Sequence, residues 1–239
     1  LSLDQEVKER TKELVEYNQQ LEQFAFIAAH NLRAPVARIL GLGQLAKLPE
    51  ITKEDEKVIT EKMVLTAEEL DQVVKDINTI LEIRKNNTLW ISEINLHQEL
   101  ELIKANLENE IKDTSTEIRE DFTHGNTVQA AKPYLDSILF NLISNSIKYR
   151  NPLRKLLIEI KTESINGYMC LKVSDNGLGI DLDAHRKNVF SLYKRFHSHV
   201  EGKGMGLYLV KTQVEALGGK ITIDSKVNKG TTFKIFLKK

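Results

Sequence analysis

The sequence holds a single cysteine, Cys170, so it can form neither an internal disulfide nor a cysteine-only zinc site, and it suits a reducing compartment. In a strand-like setting that residue reads as a small hydrophobe. There is no run of about 18 apolar residues and no signal-peptide pattern at the start, which excludes a membrane-spanning helix in this stretch. Charge of either sign is not in excess, with 34 Lys and Arg against 34 Asp and Glu. No net field therefore draws the chain to nucleic acid or an anionic membrane surface. What is present is 239 residues with 41% hydrophobic content, enough for two modest cores. The chain begins at Leu1, without Met and already inside an amphipathic repeat, so we expect a soluble, cytoplasmic piece of a longer protein.

The first part reads as helix. A seam in alternating steps of four and three runs through Val7, Thr11, Leu14, Asn18, Leu21, Ala25, Ala28, Leu32, Pro35 and Ile39, which is coiled-coil spacing. A second seam runs through Met63, Ala67, Leu70, Val74, Ile77 and Leu81, after a breaker-containing segment from Leu40 to Thr52. Two long helices joined as a hairpin are expected. Such a hairpin cannot bury both apolar seams alone, whereas two copies packed as a four-helix bundle can, so a homodimer is expected. Phe24, Phe26 and Ile27 lie off the strict seam, either widening the bundle core or offering a docking surface.

The polar run Arg84 to Asn87 reads as a linker, giving domains 1–86 and 87–239. Beyond it the pattern alternates, with strands expected near Trp90–Leu96, Thr116–Asp121, Thr127–Ala130, Leu156–Lys161, Tyr168–Ser174, Ile221–Ser225 and Thr232–Leu237. Helices are expected over His97–Asp113, Lys132–Tyr149 and Met205–Leu217. The fold class is an all-α helical hairpin followed by an α+β two-layer sandwich.

Four stretches of the mixed part, and one of the helical part, carry residue types suited to chemistry. In the helical part, FAFIAAHNLRAPVARILG puts His30 on the outer face, because the seam turns Ala28 and Leu32 inward. Pro35 removes one amide donor from that helix, the one that would serve the carbonyl of Asn31, at a cost of about 3 kcal/mol. In the mixed part, NLISNSIKY sets Asn141 and Asn145 four apart on one helix face, where two carboxamides can meet a hydrated metal or phosphate oxygens. SDNGLGI ends a strand with Asp175 followed by Gly177 and Gly179, allowing backbone to approach a flat ligand beside a carboxylate. EGKGMGLYLVK is a Gly-rich loop opening a helix, an arrangement that offers amides and a positive dipole end to phosphates. NKGTTF turns into the last strand.

In this order, behind an HNLRAP helix, the set resembles the sensor histidine kinases of two-component signalling over essentially the whole chain. The resemblance implies a dimerisation and phosphotransfer hairpin followed by an ATP-binding domain of the gyrase, mismatch-repair and chaperone type, with ATP and Mg2+ as cofactors. It implies that His30 is the phosphoacceptor, that Asn145 ligates Mg2+, that Asn141 and Lys148 lie toward the phosphates, and that Tyr149 lines the nucleotide site. It gives Asp175 the adenine amino group, with Gly177 and Gly179 shaping that wall and Thr232 supporting the same corner. VFSLYKRFH resembles the aromatic box of a mobile lid, with Phe190 and Tyr193 as anchors and Arg195 as a cation near the γ-phosphate. Lys203, Gly204, Met205, Gly206 and Leu207 fall in the last phosphate-facing loop; His197 and His199 read as solvent-exposed loop residues. The partners it implies are the receiver domain of a response regulator and a sensor domain upstream of this piece.

Two departures from the family stand out. The position after the histidine, usually Asp or Glu, is Asn31, whose amide orients but cannot act as a base. The position used to place water for dephosphorylating the regulator is Ala34, which predicts weak phosphatase activity. Two other classes stay open at this point. One is a pseudokinase scaffold that dimerises and recruits a regulator. The other is a conformational ATPase, disfavoured because Asn141 stands where such enzymes place a water-activating Glu.

Overall fold

The computed structural model describes residues 3–49, 51–85, 89–165, 167–192, 194, 196 and 204–238. The chain divides into two compact units, Leu1–Leu81 and Glu82–Lys239. Asn86 and Asn87 of the expected linker lie outside the described residues.

The first unit is the expected pair of helices. Helix α1 spans Leu3–Leu45 and helix α2 spans Lys53–Lys85. An ion pair of Arg38 with Glu69 at 3.0 Å joins them as a hairpin; both partners are well exposed, so it adds little stability. Pro35 sits inside α1 and is buried. The breaker segment is shorter than expected, because α1 continues through Gly41 and Gly43 to Leu45. α2 starts from a reciprocal cap, in which the Asp55 amide donates to Thr52 Oγ1 at 3.1 Å and the Thr52 amide donates to Asp55 Oδ2 at 3.3 Å. Such caps satisfy the orphan amides of a first turn. Phe24, Thr66, Val73 and Ile80 are buried, whereas the seam residues Val7, Leu14, Leu21, Val74 and Leu81 are exposed.

The second unit contains the seven expected strands, and alternation accounts for their packing. A two-stranded antiparallel sheet pairs β1 (Ser92–Asn95) with β3 (Thr127–Ala130). A five-stranded sheet has the order β2–β4–β5–β7–β6, formed by Glu117–Asp121, Leu157–Ile165, Tyr168–Asp175, Gly230–Lys238 and Lys220–Lys226. Its pairs are antiparallel except β2 with β4, which is parallel. Ile158 and Ile160 of β4, Leu171 and Val173 of β5 and Phe233, Ile235 and Leu237 of β7 are buried on one face. They form one continuous core with Leu100 and Ile103 of α3 (Leu96–Asn106), Leu135, Leu139, Leu142 and Ile143 of α5 (Lys132–Lys148), and Val210 and Val214 of α7 (Gly206–Ala216). This is the two-layer α+β sandwich read from the sequence.

The differences lie at ends and breaks. Trp90 and Ile91 precede β1, and Trp90 is 92% exposed. The expected helix over 97–113 breaks at Leu107, whose φ of −108° and ψ of 18° leave the helical region, and continues as the short α4 (Glu108–Asp113). Leu107 is itself buried, so packing takes it out of helical register. β4 extends to Ile165, and a short α6 (Leu182–His185) followed by a 3-10 turn (Arg186–Asn188) had no signal in the periodicity.

Candidate functional site

One end of the site lies where β5 stops. Asp175, its last residue, accepts from the Gly177 amide at 2.8 Å and the Thr231 amide at 3.2 Å through Oδ1, and from the Ser146 hydroxyl at 3.2 Å through Oδ2. Burial pushes this carboxyl above its ordinary value, against the pull of those donors and of the Arg154 charge. A half-buried carboxylate gains from a further donor supplied by a ligand. Gly177 permits close approach, since a Cβ there would lie 2.6 Å from the Tyr149 carbonyl oxygen. Gly179 has φ +68°, and a Cβ would lie 2.1 Å from the Lys226 carbonyl oxygen, so only glycine fits. The Leu178 amide donates to the Tyr149 carbonyl at 2.9 Å, and the Asn228 amide donates to the Leu178 carbonyl at 2.6 Å.

Thr232 is placed differently from expectation. Strand pairing sets it opposite Ser174, and its Oγ1 bonds Ser174 Oγ at 3.1 Å. Side chains alternate along a strand, so Ser174 and Thr232 face away from the side that carries Asp175. The neighbouring Thr231 supplies the amide to the carboxylate instead. Ser146, Arg154 and Asn176 were also missed. Asn176 holds β4 in register with this loop, its Oδ1 accepting from the Leu157 amide at 2.9 Å and its Nδ2 donating to the Lys155 carbonyl at 3.0 Å. Ser146 lies inside NLISNSIKY and Thr231 inside NKGTTF, so the stretches were right and the residues within them were not all distinguished.

At the other end, α5 and the start of α7 meet. Asn141 Nδ2 donates to the Ser137 carbonyl at 2.8 Å, which turns its Oδ1 toward α7. A Cβ on Gly206 would lie 2.8 Å from Asn141 Oδ1 and 3.4 Å from Asn145 Nδ2, so glycine lets the helix start against both carboxamides. Among the described residues, the N-cap Met205 gives α7 no side-chain cap, and a helix start presents amide donors and a positive dipole end. Gly204, with φ +69°, leads into it. Leu207 packs against the core, so it anchors that first turn. Lys148 is exposed, its ammonium 6.0 Å from the centroid of the half-buried Tyr149 ring. The arrangement fits a Mg2+ ion, which takes one or two hard oxygens from protein and the rest from phosphate and water. Asn145 is half-buried, and its carboxamide, with Nδ2 nearest the start of α7, is the group that would offer such an oxygen.

Between these ends, Val189 and Leu192 are buried and Phe190 packs half-buried against the core. The Phe196 ring meets His185 at 5.1 Å between centroids. Tyr193, Arg195, His197, His199 and Lys203 lie outside the described residues. In the first unit His30 is exposed on α1, Asn31 is half-buried and Ala34 is exposed. Among the described residues, His97, Glu101 and Glu120 also bring ligand atoms within 4.8 Å of one another. Lys104 already answers that cluster with its own cation, 2.7 Å from Glu101 Oε1 and 3.9 Å from Glu120 Oε2.

Comparison with known proteins follows this geometry. Residues 130–239 match the family described as histidine kinase-, DNA gyrase B-, and HSP90-like ATPase. The chain is 30% identical over 236 residues to the signal transduction histidine-protein kinase ArlS of Staphylococcus haemolyticus, covering 93% of this chain and 49% of the relative. It thus spans about half the length of the curated relatives it matches. Among solved structures, histidine kinase ThkA in complex with the response regulator protein TrrA matches at TM-score 0.69 and 22% identity, over 99% of this chain and 66% of that one. Full-length ShkA in complex with AMPPNP matches at TM-score 0.63 and 21% identity, over 91% of this chain and 46% of that one.

Proposed function

We infer, for a chain that is a sensor histidine kinase catalytic region by sequence and fold, that it is an ATP-dependent protein-histidine kinase core. The observation that carries the reading is the pairing in one unit of a half-buried, hydrogen-bonded Asp175 with a helix start flanked by Asn141 and Asn145. The first suits an adenine amino group; the second suits phosphates. The ShkA neighbour, which binds AMPPNP, supports ATP as the nucleotide.

In this reading Asp175 accepts from the adenine amino group, and Tyr149 and Gly177 close the wall beside it. Asn145 holds Mg2+, which neutralises phosphate charge when bound. The α7 amides, Asn141, Lys148 and Lys203 stabilise the phosphates, and Arg195 meets the γ-phosphate. A neutral His30 nitrogen attacks the γ-phosphorus, a P–N bond forms, the P–O bond to ADP breaks, and the imidazole proton passes to water. Asn31 orients the ring without taking that proton. The phosphoryl group then passes to a carboxylate oxygen of an aspartate on a response regulator, a partner class supported by the ThkA complex. The exposed apolar seam of α1 and α2 supports a homodimer, since two hairpins cover what one leaves open.

The deciding experiment incubates the protein with γ-labelled Mg·ATP and asks whether label survives alkali and is lost in acid. Acid-labile label is expected in the parent and none in His30→Gln, with ATP binding the same in both. No parent label despite ATP binding would replace this reading with that of a regulator-binding scaffold.

A further inference from the structure

The connection between α5 and β4 carries an arginine that neither the motifs nor the family pattern singled out. Arg154 Nε donates to the Asn176 carbonyl at 2.6 Å, and its Nη2 donates to the carbonyls of Gly177 and Asn228, each at 2.8 Å. One guanidinium thus grips backbone on two other connections. The first is the loop after β5, which donates the Gly177 amide to Asp175. The second is the turn between β6 and β7, just ahead of Thr231, whose amide reaches the same carboxylate oxygen. A planar fork of five N–H donors can span such acceptors at once; a lysine ammonium on a flexible stem holds no comparable plane.

We propose that Arg154 is a positioning residue for nucleotide recognition, a surface clamp that holds the Gly177 and Thr231 amides where they aim the Asp175 carboxylate at the adenine edge. The proposal rests on the ATP-site reading of Asp175. Three features favour it over a general structural role. Arg154 is exposed, so removing it opens no cavity in the core. Its acceptors are backbone carbonyls of the two segments that also supply donors to Asp175. Its charge acts on that carboxyl in the direction that favours the ionised, accepting form. The loop it braces is otherwise pinned by the Leu178 contacts to Tyr149 and Asn228, so loss of the clamp loosens the corner without unfolding the sheet.

The test measures ADP and GDP binding by the parent, Arg154→Ala and Arg154→Gln in the full chain, together with thermal unfolding and hydrogen exchange. The expected result is about tenfold weaker ADP binding for Arg154→Ala, near 1.4 kcal/mol, and a smaller loss for Arg154→Gln, which keeps two donors. ADP-over-GDP preference should fall by severalfold, and faster exchange should be confined to residues 176–180 and 226–232. Unchanged ADP binding in both variants would overturn the proposal. So would equal losses for ADP and GDP with faster exchange throughout the unit, the mark of a structural residue. A parent that binds neither nucleotide would instead sink the ATP-site reading beneath it.

Discussion

The two units solve the burial problem in different ways. Residues 82–239 close their core within one chain: a sheet with a polar outer face, three helices on the inner face, and Leu142 and Ile158 fully buried. The hairpin leaves its seam open, with Leu14 67% exposed and Val7 55% exposed. A helix derives most of its stability from packing an apolar face rather than from intrinsic propensity, so the proposed homodimer would complete the hairpin, whereas the ATPase-like unit has its own core. The proposed phosphoacceptor, His30, sits on the open unit and the proposed nucleotide site on the closed one.

Core and seam substitutions test that difference most strongly. Leu142→Ala removes a fully buried side chain and should cost about 2–5 kcal/mol of the second unit's stability, with a melting temperature that does not depend on protein concentration. Leu14→Ala should leave that transition where it is and instead weaken self-association, read by analytical ultracentrifugation. If Leu14→Ala changes neither association nor helix melting, the seam is not an interface and the contrast between the units fails.

Legibility divides along the same line. The hairpin was readable because its information is periodic: the heptad steps and the placement of His30 off the seam need only neighbouring residues. What was misjudged there was the breaker segment, since Gly41 and Gly43 remain helical. Glycine costs a helix only about 1 kcal/mol against alanine. In the second unit, alternation gave the strands, while the interruption at Leu107 came from burial that no local pattern encodes. The site was readable where a short stretch carries its own reason, as with Asp175 before two glycines or Asn141 and Asn145 on one face. Ser146, Thr231 and Arg154 were not, because their roles join positions 29, 56 and up to 74 residues apart. Thr231 and Thr232 are adjacent and alike in chemistry. Only the strand register separates the one beside Asp175 from the one facing away.

A second test sharpens the contrast within the proposed nucleotide site itself. In Gly206→Ala the new methyl would fall 2.8 Å from Asn141 Oδ1, forcing the carboxamide or the start of α7 to shift. About a tenfold loss of affinity for ATP is expected, near 1.4 kcal/mol, with much less loss for adenosine, because the damage is at the phosphate end. Asp175→Asn should weaken both ligands alike. Equal losses in Gly206→Ala would mean that the two ends are not separable.

The smallest effect concerns acid, where the units carry carboxyls shifted in opposite directions. In the hairpin the Thr52 cap holds Asp55 below its ordinary value. That group contributes stability above its unfolded pKa and loses it only as pH falls below about 4. In the second unit burial, followed by the neighbouring Glu99, pushes Asp136 up to about 6, and among the described residues its buried Oδ1 has no hydrogen-bond partner. A raised carboxyl works the other way: its ionised form is the costly one, so the fold gains as pH falls from 7 toward 5. Lys132, paired with Glu99 and 3.6 Å from Asp136, limits that cost. Asp136 is also 39% exposed, and solvent screening holds the gain below about 1 kcal/mol. Exchange protection, corrected for intrinsic rates, should therefore rise in α3 and α5 between pH 7 and pH 5 and stay flat at the start of α2. Asp136→Asn should abolish most of the rise. In the ATP-site reading, nucleotide binding should weaken as acid protonates Asp175, a carboxyl also raised by burial, because the neutral acid is a weaker acceptor for the adenine amino group than the carboxylate. Protection that falls in both units together would show that acid acts on the exposed ion pairs instead, and that the shifted carboxyls do not set the difference.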